Sequence, residues 1–194
     1  LLTEHPVVLR NVPRIRDIES LLQLVRQTGA TAEWTAANTL VITAKSVRGD
    51  ALDPELCKRI RASILLAAPL LARAGMVTLA PPGGDVIGRR RLDTHFLALE
   101  AMGAEHLFAD RITFRTKGLV GADIFLDEPS VTGTENAIMA AVAARGTTVL
   151  HNAASEPHVQ DLCRLLVAMG ASISGIGSNV LSIEGGARLK GCTH

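Results

Sequence analysis

Leu79-Ala80-Pro81-Pro82-Gly83-Gly84-Asp85-Val86-Ile87-Gly88-Arg89-Arg90-Arg91-Leu92-Asp93-Thr94-His95 sets glycines, one acid and three successive arginines between an apolar strand, residues 76–80, and a helix opening near Asp93. Glycines permit close backbone approach, a helix start offers free N–H groups, and arginines supply forked donors. Taken alone, the stretch reads equally as a basic surface loop or as a loop built for an anionic ligand.

An internal repeat favours the second reading. Helices of similar apolar spacing end in Gly29-Ala30, Gly103-Ala104 and Gly170-Ala171, and each follows a strand centred on Leu9, Leu79 or Leu150. Twenty residues separate Leu9 from Gly29 and Leu150 from Gly170, whereas twenty-four separate Leu79 from Gly103. The four extra residues fall in the loop of Gly83, Gly84 and Asp85. Insertions confined to one unit of a repeat map to loops, often on the binding face. The recurring helices and strands predict an α/β chain.

Of 194 residues, 47% are hydrophobic, enough for a substantial core in one domain or two small ones. Twenty basic and nineteen acidic residues leave a net charge of +1, which gives no footprint for nucleic acid or a membrane surface. One Trp, no Tyr and four Phe provide little for base stacking. Cys57, Cys163 and Cys192 lack paired metal spacing and read as free thiols of a reducing cytosol. The longest apolar run, residues 64–72, contains Pro69 and is too short to span a bilayer. No export signal is apparent, so a cytoplasmic protein is expected. The chain opens Leu1-Leu2-Thr3-Glu4, which aligns with the last turn of a helix in the other copies, so the expectation is a piece of a longer chain.

Elsewhere the periodicity predicts a buried strand over 6–12 and a helix over 15–28 with Ile15, Ile18, Leu22 and Val25 on its apolar face. A hairpin follows over 30–36 and 39–43, with Trp34 half-buried. A long helix over 54–74 is expected, capped by Asp53, kinked at Pro69 and central to the core. Lys58, Arg59 and Arg61 on it read as a solvated basic face. Beyond the special loop come a helix over 93–102, a hairpin over 104–109 and 111–115, and a strand over 122–126. Pro129-Ser130-Val131-Thr132-Gly133-Thr134-Glu135-Asn136 leads into a helix over 135–144. Thr132 or Thr134 can cap that helix, and Ser130, Thr132 and the free N–H groups can bind phosphate; both can hold at once. The last unit gives a strand over 147–152, a helix over 157–169 and a hairpin over 172–183. His95 and His106 lack metal-like partners in sequence and read as structural or surface groups, and His151 and His158 read as non-catalytic.

Three of these stretches together resemble UDP-N-acetylglucosamine enolpyruvyl transferases: Pro82 to Arg90, Arg61-Ala62-Ser63, and Pro129 to Asn136. Asn152-Ala153-Ala154, Glu156-Pro157 and Ile183-Glu184-Gly185 add to the resemblance, which covers essentially all 194 residues. It implies one lobe of the enolpyruvyl transferase fold, an inside-out α/β prism of three βαβαββ units, here about 1–48, 49–127 and 128–194, with helices inside, sheets outside and a second lobe absent. It further implies transfer of enolpyruvate from phosphoenolpyruvate to the 3-hydroxyl of UDP-N-acetylglucosamine, the first committed step of peptidoglycan synthesis, with no metal or organic cofactor. By the same resemblance Arg61 and Arg90 hold phosphoenolpyruvate. Arg90, Leu92, Asp93 and Thr94 flank the uridine nucleotide, and Ser130, Val131 and Thr132 contact its diphosphate. Asp85 stands where many members carry the reactive cysteine of a mobile loop. A carboxyl kept protonated can replace that thiol as an acid but is a far poorer nucleophile, which implies insensitivity to the epoxide fosfomycin. Arg91, Thr94 and Glu128 depart from the family, which often has proline, an aliphatic residue and lysine there. An aspartate base and further basic groups belong to the second lobe, so this chain alone is expected to fold without activity. The shikimate-pathway enolpyruvyl transferase and a non-catalytic binding domain are the alternatives.

Overall fold

The computed structural model describes residues 1–50, 52–84 and 91–194, and of Phe108 the backbone only. Asp85 and Arg90, together with Gly88 and Arg89, lie outside the described residues.

Three sheets carry the same antiparallel trio. The first has the order β1 (Val7–Leu9), β3 (Thr39–Thr43), β2 (Thr31–Ala36), and the second the order β4 (Met76–Leu79), β6 (Ile112–Arg115), β5 (Glu105–Phe108). The third runs β7 (Asp123–Phe125), β8 (Thr147–His151), β10 (Val180–Glu184), β9 (Ser172–Ser174), with β7 parallel to β8. In the first sheet the segment Cys192 to His194 lies parallel to β1 as β7 does to β8, with Val8 N–H donating to the Cys192 carbonyl at 2.8 Å. In the second, the Gly49 carbonyl accepts from Thr78 N–H at 2.7 Å. Each crossing segment carries a glycine where it meets the neighbouring backbone. A Cβ on Gly49, Gly121 or Gly191 would lie only 2.0, 2.2 or 2.2 Å from the carbonyl oxygen of Met76, Thr147 or Pro6. These crossings therefore need residues without a side chain.

The helices are α1 (Arg16–Gln27), α2 (Pro54–Arg59), α3 (Ala67–Ala74), α4 (Asp93–Ala101), α5 (Val131–Ala143) and α6 (Pro157–Ala168). α1, α4 and α6 run toward Gly29, Gly103 and Gly170, whose φ angles of 98°, 87° and 108° reverse the chain as the Gly-Ala pairs predict. α3 and α5 pack on each other at the centre, and α5 is buried along most of its length because it is built almost wholly of small and apolar residues. The 54–74 stretch is central to the core as expected, and α5 shares that place.

The expected single helix over 54–74 is three pieces. Asp53 caps α2 as anticipated, its Oδ1 accepting from Glu55 N–H and Leu56 N–H at 2.7 and 3.2 Å. The chain is then extended at Ile60 (φ −133°, ψ 138°), turns through a 3-10 segment, Arg61–Leu66, and re-enters α-geometry at Ala67. Pro69, expected inside a continuous helix, is the third residue of α3, where a helix has no partner for the missing N–H.

Smaller departures have local causes. Val7, Val8 and Leu9 are half-buried, since this sheet's outer face is open. Ile15 lies before α1 and is 53% exposed instead of joining its apolar face. Leu1 to Thr3 are not helical. Trp34 is half-buried as expected, with the Arg14 guanidinium 4.4 Å above its ring. Cys57 and Cys163 are buried free thiols, and burial pushes both pKa values up, that of Cys163 to about 11.

Candidate active site

The break at Ile60 is occupied by the glycine loop. Gly83 N–H donates to the Cys57 carbonyl, which also receives the Ser63 hydroxyl at 2.9 Å. That carbonyl would otherwise have accepted from residue 61 to continue the helix. A Cβ on Gly83 would lie 1.5 Å from the Lys58 carbonyl oxygen, so only glycine fits here. Gly84 (φ 97°) abuts the backbone of Arg61. On the far side of the loop the Arg61 guanidinium donates to the Arg91 carbonyl at 2.8 Å. Arg61 therefore touches both the chain entering the 85–90 stretch and the chain leaving it, a placement that a mere solvated basic face would not require.

Arg91 opens a polar cluster. Its guanidinium pairs with Asp93 at 2.7 Å and with Asp127 at 2.8 Å, while the Thr94 hydroxyl reaches Asp127 at 3.0 Å and Glu128 at 3.4 Å. The three positions that depart from the resembled family, Arg91, Thr94 and Glu128, thus meet at one place. Asp93 and Thr94 of the expected nucleotide strip are tied into this cluster, and half-buried Leu92 precedes α4 without a capping side chain.

α5 starts four residues before the expected helix. Its cap is Ser130, whose Oγ accepts from Gly133 N–H at 3.2 Å, and not Thr132 or Thr134. The Thr134 hydroxyl instead accepts from Ala154 N–H at 3.0 Å, holding the turn after β8. Val131 and Thr132 form the first turn, and among the described residues their N–H groups have no acceptor. Gly133 lets α5 approach α4 closely, since a Cβ there would sit 2.8 Å from the Thr94 methyl.

One contributor escaped the sequence reading as anything but a structural histidine. His95 is fully buried, with Nδ1 2.8 Å from Asn136 Nδ2 and Nε2 3.2 Å from Thr132 Oγ1. Asn136 is itself fixed by backbone groups, its amide donating to the Ile64 carbonyl at 2.9 Å and its oxygen accepting from Ala68 N–H at 3.2 Å. Burial, reinforced by the charge of Arg61, pulls the His95 pKa down to about 4. No spacing rule announces this set, because its members lie on α3, α4, α5 and the 3-10 segment that precedes α3.

Of the expected residues, the fold gathers Arg61, Leu92, Asp93 and Thr94 around the ends of the glycine loop and Ser130, Val131 and Thr132 at the α5 start. The buried His95 and Asn136 join the two groups. An apolar groove of about 290 Å³, lined by Leu2, Val25, Leu66, Met139, Leu165 and Met169 among others, contains none of them. Burial in it raises the Glu135 pKa. His151 pairs with Asp123 at 3.0 Å. Among the described residues no cluster of His, Cys, Asp or Glu could hold a metal ion.

Over residues 1–194 the chain matches the family described as EPSP synthase (3-phosphoshikimate 1-carboxyvinyltransferase). It is 68% identical over its whole length to a UDP-N-acetylglucosamine 1-carboxyvinyltransferase of Bradyrhizobium diazoefficiens and 53% identical to one of Treponema denticola, covering 45% and 46% of those proteins. The chain therefore spans a little under half the length of these relatives. In fold it is similar to the enolpyruvyl transferase NikO from Streptomyces tendae (TM-score 0.84, 24% identity, 100% of this chain and 46% of that one). A similar match is the EPSP synthase of Acinetobacter baumannii (TM-score 0.77, 20% identity, 98% and 44%).

Proposed function

The chain belongs to the EPSP synthase family of carboxyvinyl transferases, and from that premise we propose that it is one lobe of an enzyme moving enolpyruvate from phosphoenolpyruvate to the 3-hydroxyl of UDP-N-acetylglucosamine. The lobe comprises three units, about 1–48, 49–127 and 128–194, and a second lobe of the same enzyme completes the cleft. The supporting observation is the 68% identity across all 194 residues to a UDP-N-acetylglucosamine 1-carboxyvinyltransferase. The shikimate-phosphate acceptor named in the family description has weaker support, at 20% identity.

In the reaction the sugar hydroxyl gives its proton to a base as its oxygen bonds to C2 of phosphoenolpyruvate, while C3 takes a proton, giving a tetrahedral adduct. Loss of a C3 proton and of the phosphate on C2 then regenerates the double bond. The substrate carries a phosphate and a carboxylate, which Arg61, with Arg90 beyond the glycine loop, would hold by forked hydrogen bonds. The α5 start supplies the diphosphate site: Val131 and Thr132 N–H groups without an acceptor among the described residues, the positive end of the helix dipole and no acid in the first turn. Leu92, Asp93 and Thr94 would border the uridine. Asp85 acts as the acid or release group of its loop.

Phosphate release from phosphoenolpyruvate plus UDP-N-acetylglucosamine, measured for this chain alone and joined to its second lobe, tests the assignment. Activity in the joined form only is expected; a folded joined protein that is silent with this acceptor refutes it. Fosfomycin should leave the active form unlabelled by mass spectrometry and should label it after Asp85→Cys; rapid labelling of Asp85 would contradict the role given to that carboxyl. The nucleotide substrate places the enzyme in the cytoplasm and in cell-wall synthesis. Among the described residues no helix is long and apolar enough to cross a membrane.

A further inference from the structure

We propose that His95 is a positioning residue for nucleotide binding, one that turns the Thr132 hydroxyl hydrogen toward a diphosphate oxygen at the start of α5. This rests on the α5 start being the diphosphate site. A donor count fixes the tautomer of the ring. Asn136 cannot rotate its amide, because its oxygen is held by Ala68 N–H and its nitrogen by the Ile64 carbonyl. The amide nitrogen therefore also faces His95 Nδ1 as a donor, at 2.8 Å. Nδ1 must accept, so the ring carries its proton on Nε2. Nε2–H points at Thr132 Oγ1, 3.2 Å away, and fills one of its lone pairs. A hydroxyl that accepts from a fixed donor keeps its own hydrogen for another acceptor, and among the described residues Thr132 has none.

The consequence is a third donor beside the Val131 and Thr132 N–H groups, aimed before the ligand arrives. A hydroxyl without this constraint can turn its hydrogen back onto a carbonyl of the preceding turn, as threonines in helices do.

The test is calorimetric binding of UDP-N-acetylglucosamine to the two-lobe protein, with Ser130→Ala, Thr132→Val, His95→Leu and the His95→Leu/Thr132→Val pair. Loss of one hydrogen bond to a charged oxygen weakens binding about tenfold. Thr132→Val and His95→Leu should each show that loss, and the pair should be no weaker than either alone. In turnover the KM for the nucleotide should rise while that for phosphoenolpyruvate stays unchanged, a split that general loosening of the fold would not produce. Wild-type affinity in His95→Leu, or losses that add in full, would overturn the proposal while leaving the diphosphate site in place. If Ser130→Ala and Thr132→Val both bind normally, the site assignment itself falls and the His95 role with it. Should His95→Leu fail to fold, nitrogen NMR of the parent decides: a ring protonated at Nε2 with bare Nδ1 is expected, and the opposite tautomer refutes the donor count.

Discussion

Acid should weaken this fold through one side chain. His95 titrates near 4 in the folded chain and near its ordinary 6.5 when unfolded. A base with a lowered folded pKa binds more protons in the unfolded state between the two values. Its contribution is therefore complete above pH 6.5 and lost as pH falls toward 4. The full difference is about 2.5 units, or roughly 3 kcal/mol, of which roughly 2 kcal/mol is gone by pH 5. The cause is burial of the ring, reinforced by the charge of Arg61; a protonated ring would also present Nδ1–H to the Asn136 amide, donor against donor at 2.8 Å, in a site where Asn136 cannot turn. With a urea dependence of about 2 kcal/mol per molar, the unfolding midpoint should drop by about 1 M between pH 7 and pH 5. Urea melts followed by circular dichroism at pH 7, 6 and 5 measure it, with His95→Gln removing the titrating group and hence this part of the slope. Equal pH slopes in parent and variant would refute the reasoning. So would a His95 NMR titration centred above pH 6.

Other substitutions probe single contacts. Asn136→Ala strips partners from the Ile64 carbonyl, Ala68 N–H and His95 Nδ1 together, and should cost at least about 2 kcal/mol in thermal or urea unfolding. Gly83→Ala puts a methyl 1.5 Å from the Lys58 carbonyl oxygen; the loop must move, costing roughly 1–3 kcal/mol in a melt and abolishing phosphate release in the two-lobe enzyme. Ser130→Ala removes the α5 cap, for about 1 kcal/mol of stability together with weaker nucleotide binding by calorimetry. Arg91→Ala leaves Asp93 and Asp127 facing each other without a cation. Because the pairs are exposed, the melt should shift little, and a clear loss of stability would mean the cluster matters to the fold.

The sequence by itself determined the parts of this protein that depend on neighbours along the chain. The Gly-Ala stops at 29, 103 and 170, the amphipathic spacing of α1, the Asp53 cap and the hairpin strands all follow from local backbone preference and apolar period. The motifs at 61–63, 82–90 and 129–136 were enough to indicate the fold. Tertiary structure alone decided where local preference yields to a distant partner. Nothing between Pro54 and Ala74 says that the helix must break at Ile60, because the cause is Gly83, more than twenty residues away, taking the Cys57 carbonyl. Nothing around Thr132 says that Ser130 makes the cap, since Thr134 was equally available until Ala154 claimed its hydroxyl. His95 was an isolated histidine until folding placed Asn136 on one ring nitrogen and Thr132 on the other. A hydrogen bond across the core has a direction and a length but no sequence period, so its meaning exists only once the chain has closed around it.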